Sequence, residues 1–458
     1  MNSTSGKTVH KNGKSAAERT LSVVSAEAAL REKIKTGRAQ IGVLGMGYVG
    51  LPLALGFGKA GFPVTGFDVD ASKVRSLVSG HSYVGDISDS QLGSVISSKC
   101  FTATTDFKRL SAMDAVIICV PTPLNKTKDP DVTFIAKASE ATAKTLHRNQ
   151  LVILESTTYP GTTQELMLPM LEAGGLKVGK DFFLAFSPER TDPGNKHYTL
   201  TNTPKVVGGT TAACRDLAVC LYERVVKHVV PVSSTQAAEM VKLLENTFRA
   251  VNIGLVNEIA MICDRLELNV WEIIEAASTK PYGYMPFYPG PGLGGHCIPI
   301  DPHYLSWKMK MFNFSARFIE LAGEINSHMP DFVLHKITSA LNKRKKSVND
   351  SNVLLLGIAY KPNVSDTRES PALDLFQLLR EQGANVSFHD PWVKKVEIGG
   401  KVFEGKTYSA GLLKSMDAVV ITTSHDAFDP DDIVKNSPLI IDARNLTRGI
   451  KTANIVRL

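Results

Sequence analysis

Short, continuous apolar runs punctuate this chain at Gln40–Leu44, Pro63–Phe67, Ala115–Val120, Leu151–Glu155 and Phe183–Phe186, then again at Asn352–Gly357 and Ala384–His389. Each is too short for a helix and is closed by glycine, proline or polar residues, which predicts strands buried on both faces. Between them the period changes: Leu51–Ala60, Ala316–Lys343 and Pro371–Glu381 read as helices. The stretch Thr235–Leu266 predicts one long helix, opened by the cap candidates Ser233, Ser234 and Thr235. It is apolar on more than one face (Met240, Leu243, Leu244, Phe248, Val251, Leu255, Val256, Ile259), so it is expected to be buried on several sides, between domains or across a dimer interface. Strands alternating with helices place the chain in the α/β class.

The pattern then repeats itself. Met113-Asp114-Ala115-Val116 and Met416-Asp417-Ala418-Val419 hold the same place in two strand–turn–helix–strand units whose second strands end at Asp68 and Asp390. The expected fold is therefore two Rossmann-like doubly wound domains joined by a long central helix and a helical middle domain. The expected divisions are 1–37, 38–232, 233–335 and 336–458. Residues 1–15 have almost nothing to bury and read as a disordered tail; Ala16–Lys35 reads as a lead-in helix packed on the first domain.

Composition changes this picture little: 43% hydrophobic and 21% charged residues are ordinary globular values. No apolar run reaches bilayer length and the N-terminus has no signal-peptide core, so a cytoplasmic protein with no membrane partner is expected. The net charge of +7 is concentrated at one end: residues 1–40 hold eight Lys and Arg against three Glu, leaving the remainder near neutral. That argues against nucleic acid. The six cysteines (100, 119, 214, 220, 263 and 297) show neither paired nor metal-ligand spacing, so free thiols and no metal are expected.

Gly45-Met46-Gly47-Tyr48-Val49-Gly50 sits between a strand and a helix, and the next strand ends in Asp68. In that setting G-x-G-x-x-G is a dinucleotide fingerprint: a tight turn, close approach of a pyrophosphate, and packing of helix on strand. Asp68 is placed to accept from a ribose 2′-hydroxyl and repel a 2′-phosphate, which predicts NAD rather than NADP, although Lys73 stands nearby. The later strands run into Pro121-Thr122-Pro123, Ser156-Thr157-Thr158 and Ser187–Asn195, loops at the ends where open α/β sheets bind ligands.

Residues 286–303 cannot be helix or central strand. Gly290, Gly292, Gly294 and Gly295 are interspersed with Pro289 and Pro291, which demands a shaped loop whose backbone comes close to something else. The loop delivers one thiol, Cys297, to Asp301-Pro302, which reads as a helix N-cap and first turn; the positive end of that helix favours a thiolate. On the long helix Lys242, Asn246 and Arg249 share a face, either a solvated stripe or an active-site face. The second unit carries Lys361 and Arg368 in Ala359–Ser370, cations suited to the phosphates of a nucleotide-bearing ligand.

Taken together, Gly45–Gly50, Ser156-Thr157, Ser187-Pro188-Glu189, Lys242 with Asn246, Gly294-Gly295-His296-Cys297 with Asp301, and Lys361…Asp366-Thr367-Arg368-Glu369-Ser370 resemble the UDP-glucose/GDP-mannose dehydrogenases from about residue 38 to 445. The resemblance implies oxidation of a nucleotide sugar at C6 to a carboxylate with two NAD⁺, for polysaccharide precursor synthesis, by a homodimer or higher homo-oligomer. It implies that Cys297 is the nucleophile and that Lys242 and Asp301 handle protons and water. Thr157 and Glu189 would position and activate water, and Asn246 would hold the sugar oxygen. It further implies cofactor contacts from Gly45, Gly47, Tyr48, Val49, Gly50, Asp68, Lys73, Pro121, Thr122, Ser156, Thr157 and Arg368. Glu189, Arg190, Lys242, Asn246, Tyr288, Gly292, Leu293, Gly294, Tyr360 and Lys361 would contact the UDP-sugar. Ile300 stands where glucose-type members usually have Lys, Pro193 where they often have a second Glu, and an expected Arg is missing from 280–284. With those departures the chain is most similar to the UDP-N-acetylglucosamine 6-dehydrogenase branch; UDP-glucose, UDP-N-acetylmannosamine and UDP-N-acetylgalactosamine stay open, as do a two-electron hydroxyacid-type dehydrogenase and a non-catalytic NAD sensor.

Overall fold

The computed structural model describes residues 27–85, 87–125, 129–191, 195 and 197–458. The expected tail 1–15, the start of the lead-in helix and Pro193 lie outside them. The chain divides into two compact units: one runs to Thr122 and takes in Val132–Lys242, the other comprises Pro123–Asp131 and Leu243–Leu458.

In the first unit, β1 (Ile41–Leu44), β2 (Val64–Phe67), β3 (Phe101–Thr104), β4 (Ala115–Ile118), β5 (Leu151–Leu154), β6 (Phe183–Phe186), β7 (Lys205–Gly209) and β8 (Val229–Val232) form one sheet in the order β3-β2-β1-β4-β5-β6-β7-β8. The pairings are parallel except β6 with β7. Alternate residues of each run serve opposite faces. Ile41, Val43, Ala115 and Ile117 join Leu51, Leu55 and Phe57 of helix Gly50–Lys59, while Leu44, Val116, Ile118 and Leu154 join Ile135, Met167 and Leu171. A sheet covered on both sides needs apolar residues at every position, so the runs are continuous rather than alternating. Each fully buried side chain of this size contributes roughly 1.5–3 kcal/mol. Leu30 and Ile34, within the helix at 27–35, are buried in the same core, as expected of a lead-in helix.

The second unit repeats the plan. β9 (Asn352–Leu356), β10 (Asn385–His389), β13 (Ala418–Ile421), β14 (Ile440–Asp442) and β15 (Ile455–Arg457) form a parallel sheet in the order β10-β9-β13-β14-β15, while β11 (Lys395–Ile398) and β12 (Lys401–Glu404) make a separate hairpin. The echoed tetrapeptides do the same work in both units. Asp114 accepts from the Gln40 amide at 2.9 Å and pairs with Lys33; Asp417 accepts from the Asn352 amide at 2.8 Å and pairs with Lys346. Each aspartate pins the entry of its unit's first strand. Gly45 and Gly357 match as well, with φ of 90° and 88° and amides donating to the carbonyls of Phe67 and His389.

Helix Thr235–Arg265 is continuous, and the Ser234 hydroxyl accepts from the Ala237 amide at 3.1 Å as its cap. Leu243 and Val256 are buried, but Met240, Leu244, Phe248 and Leu255 are exposed on the single chain, so burial on several sides is not reached within it. Among the described residues, no helix is long and apolar enough to cross a membrane, and no group of three His, Cys, Asp or Glu is placed to hold a metal.

Candidate active site

The glycine turn in the first unit separates three physical roles. At Gly45 a Cβ would lie 2.4 Å from the Cys119 carbonyl oxygen, and at Gly50 it would lie 1.8 Å from the Gly45 carbonyl oxygen. At Gly47 an ideal Cβ would meet nothing within 4 Å. Two of the glycines are required by the protein's own packing, and the third leaves space over the start of helix Gly50–Lys59. That helix has no acidic residue in its first turn, and its open amide end fits the diphosphate of NAD. Val49 precedes the helix without a side-chain cap, and Tyr48 is half-exposed.

Asp68 is buried, and its two oxygens accept from the Met46 and Asp70 amides, each at 2.9 Å. It therefore also shapes the glycine turn, a use that its position at a strand end did not reveal. Lys73 lies in the next helix with its ammonium 5.8 Å from the Tyr83 ring centre, and the Tyr83 hydroxyl donates to the Met46 carbonyl. Pro121 and Thr122 follow β4, and Ser156 follows β5. The Ser156 hydroxyl donates to the Val120 carbonyl at 2.8 Å, joining the two loops beside the sheet's switch point.

Glu189, just beyond β6, is held at both oxygens: one accepts from the Arg190 and Thr191 amides, and the other lies 3.3 Å from the Lys205 ammonium. Burial pushes this carboxyl up, but Lys205, the Thr191 contacts and Lys242 override it and leave it at about 2. Lys242, buried on the long helix, donates to the Glu189 carbonyl at 2.7 Å. Arg190 donates to the Pro204 carbonyl at 2.6 Å. Thr157 lies partly exposed in the loop after β5. A residue missed by sequence reasoning, Glu239, ties that loop to the long helix by accepting from the Gly161 amide and from the Thr163 amide and hydroxyl at 2.6–2.9 Å. Burial raises Glu239 to about 7 despite those donors.

The second unit holds the other expected residues. Asn246, one turn beyond Lys242, donates its side-chain amide to the Asp301 carboxylate. Asp301 is 1% exposed and is the first residue of helix Asp301–Lys310, not its cap; Ile300 occupies the cap position in helical conformation. The Asp301 amide donates to the Cys297 carbonyl at 2.7 Å, which makes Asp301 part of the helix rather than its cap, and its carboxylate accepts from Asn246. Cys297 occupies the turn before this helix and is partly exposed.

The glycines upstream are explained by close approach. Cβ atoms at Gly292 and Gly294 would lie 2.9 Å from the Pro371 ring and 2.6 Å from Tyr360 Cβ, and the Gly295 amide donates to the Arg368 carbonyl at 3.0 Å. Gly292 and Gly295 also have φ of 136° and 90°. The thiol loop is thus laid along the loop that carries Tyr360, Lys361 and Arg368, with Leu293 among the contact glycines. The Arg368 guanidinium is directed at Asp366. Tyr288 stacks on Trp271 at 6.3 Å and is half-exposed. Arg249, on the same helix as Lys242 and Asn246, is exposed.

Asn257 and Arg444 were also missed. Asn257 accepts from the Gly290 amide at 3.0 Å and donates to Asn326 at 2.8 Å, fastening the thiol loop to the long helix. It lies three turns beyond Asn246, so helical spacing alone was able to flag it. The Arg444 guanidinium is close enough that a Cβ at Gly290 would meet it at 2.4 Å, and enclosure lowers its pKa to about 10. An enclosed cation beside a glycine loop suits phosphate, and nothing local in the sequence marks it.

Comparison with known proteins agrees with this geometry. Residues 39–226, 236–328 and 354–449 match, in turn, the NAD binding, central and UDP binding domains of the UDP-glucose/GDP-mannose dehydrogenase family. A UDP-N-acetyl-D-mannosamine dehydrogenase of Pyrococcus horikoshii is 36% identical over 89% of this chain and 96% of its own. A UDP-N-acetyl-D-glucosamine 6-dehydrogenase of Salmonella typhi is 34% identical over 85% of this chain and 90% of its own. The solved Pyrococcus horikoshii enzyme superposes with a TM-score of 0.83 over 91% of this chain and 98% of its own, at 35% identity. With two Rossmann-like units, an NAD-type glycine turn and all three domain matches in order, this chain belongs to the UDP-glucose/GDP-mannose dehydrogenase family of NAD-dependent oxidoreductases.

Proposed function

We propose that the protein oxidises the C6 hydroxyl of UDP-N-acetylglucosamine to the carboxylate, with Cys297 as nucleophile. The observation that carries the reading is the Asn246–Asp301 pair, in which the carboxylate is buried and belongs to the residue whose amide donates to the Cys297 carbonyl. A thiol backed by a buried, hydrogen-bonded carboxylate is what aldehyde capture followed by hydrolysis requires. NAD supplies the hydride acceptor for both oxidations. The alcohol loses a hydride and a proton, and the Cys297 sulfur then adds to the aldehyde carbon. Loss of the second hydride from carbon and of the hydroxyl proton leaves a thioester; water adds to its carbonyl carbon and the C–S bond breaks, releasing the carboxylate and returning the thiol.

In this scheme Asp301 and Lys242 move the protons, Lys242 balances the oxyanion, and Asn246 holds the sugar oxygen. Glu189, with Thr157, orients and activates the hydrolytic water. Lys361 and the enclosed Arg444 take the diphosphate, Tyr288, Tyr360, Arg190 and the backbone at Gly292–Gly294 line the sugar nucleotide, and Arg368 contacts the cofactor. The cytoplasm is the proposed compartment. The exposed stripe Leu244, Phe248, Leu255 and Ile262 supports a homodimer built on the long helix. UDP-N-acetylmannosamine is the second reading, favoured by the Pyrococcus relative's name.

NADH released per sugar across a panel of UDP-sugars tests the assignment. Two NADH per UDP-N-acetylglucosamine are expected, and Cys297→Ala should lose carboxylate formation by roughly 10³-fold or more while still binding NAD. One NADH per sugar, or a Cys297→Ala enzyme within about tenfold of wild type, refutes the thioester route.

A further inference from the structure

Behind Glu189 the first unit buries a second carboxylate and a lysine. Continuing the antiparallel register that pairs Ala185 with Gly209 and Phe186 with Gly208 sets Lys205 opposite Glu189. The parallel register of β5 with β6 brings Glu155 alongside. The Lys205 ammonium lies 3.1 Å from Glu155 and 3.3 Å from Glu189, and the three side chains are 5%, 0% and 11% exposed. The Tyr222 hydroxyl donates to the other Glu155 oxygen, and the ammonium sits 5.1 Å from the Tyr222 ring centre. The charged and titratable groups facing Glu189 are therefore Lys205 and Glu155 from the sheet and Lys242 from the long helix, with the Cys119 thiol near Glu155 and Lys205.

A buried row with two carboxylates and one ammonium is costly if it serves stability alone, because desolvation of three charges opposes it. Here one end of the row is the carboxylate assigned to the hydrolytic water. We propose that Lys205 is a positioning residue that holds the Glu189 carboxylate in place and keeps it anionic, so that Glu189 accepts a proton from the water that hydrolyses the Cys297 thioester; Glu155 and Tyr222 hold Lys205 in turn. The proposal rests on the thioester reading. Without Lys205, Glu155 and Glu189 would be two buried carboxylates with no cation between them, and protonation would relieve the repulsion. Lys242 and the Arg190 and Thr191 amides remain at Glu189, so the loss is partial in charge and frees the one carboxylate oxygen that Lys205 held.

The test follows decay of the substrate adduct on the Cys297 peptide by quench and mass spectrometry from about pH 5 to 9. Lys205→Met should introduce an acid limb above the usual carboxylate range, with hydrolysis falling about tenfold per pH unit below it. Lys205→Arg should restore the wild-type profile. The double variant Lys205→Met/Glu155→Gln removes that repulsion but leaves Glu189 buried without the ammonium that offsets its burial, so it should keep the acid limb and serves if the single variant does not fold. A folded Met variant with the wild-type profile, a loss of rate independent of pH, or failure of both Met variants to fold would each overturn the proposal in favour of a purely stabilising ion pair. Glu189→Gln separates the two levels: if it hydrolyses the adduct at the wild-type rate, the role given to Glu189 fails, whatever Lys205 does.

Discussion

Gly47→Ala and Gly50→Ala differ by a methyl group three positions apart, yet their consequences should part completely. At Gly50 the added carbon would stand 1.8 Å from the Gly45 carbonyl oxygen, with the Cys119 side chain at 3.3 Å behind it. Backbone cannot rotate away, so the helix start and the turn must separate by more than about 1 Å, a strain of roughly 1–3 kcal/mol. At Gly47 the methyl meets no protein atom within 4 Å, and the residue is not among the positive-φ glycines. Its folded state should be unharmed or slightly stabilised, by about 0.4–1 kcal/mol from the stiffer unfolded chain. The same methyl, however, occupies the approach of the diphosphate, and NAD affinity should fall at least about tenfold, or 1.4 kcal/mol. Thermal melting without ligand, paired with NAD titration, reads both. Gly50→Ala should melt several degrees lower; Gly47→Ala should melt as wild type and bind NAD poorly. Wild-type NAD affinity in Gly47→Ala would refute the diphosphate's path, and wild-type melting in Gly50→Ala would refute the packing argument.

Asp390 accepts from the Ile358, Ala359, Trp392 and Val393 amides and from buried His425. Burial pushes it up, but those donors override it and bring the carboxyl to about 2. A depressed carboxyl stabilises the fold above its unfolded value near 3.8 and loses that contribution as pH falls toward 2, so wild-type stability should drop across that window. Asp390→Asn should lose about 1–2 kcal/mol at neutral pH and flatten the acid slope in urea melts; an unchanged slope would show the contribution lies elsewhere. Leu255→Asp, on the exposed stripe of the long helix, should weaken self-association at least tenfold by the loss of about 1.5–3 kcal/mol of apolar burial. Sedimentation at micromolar concentration would count against that interface if wild type is already monomeric or the variant assembles normally.

Much of this protein is local and so was readable in the chain alone. Continuous apolar runs require a sheet covered on both faces, and Gly50 follows from its contact with Gly45 within one turn, whereas the close approach at Gly45 comes from Cys119 on another strand's end. The echoed Met-Asp-Ala-Val tetrapeptides marked two units because each aspartate pins a strand entry by the same hydrogen bond. The run of glycines before Cys297 announced a close approach, but not to what. That the partner is the loop carrying Tyr360 and Lys361, more than sixty residues on, is a tertiary fact. Asp301 read as a cap because Asp-Pro is a common helix opening, and only the folded turn shows its amide satisfied by Cys297 and its carboxylate turned to Asn246. Leu244, Phe248 and Leu255 have the hydrophobicity of buried residues, and periodicity cannot tell a core face from an unpartnered one. Lys205, Glu155, Glu239 and Arg444 carry no local signal at all. Their charges acquire meaning only through neighbours supplied by other strands and helices, and strand order and register decide which neighbours those are.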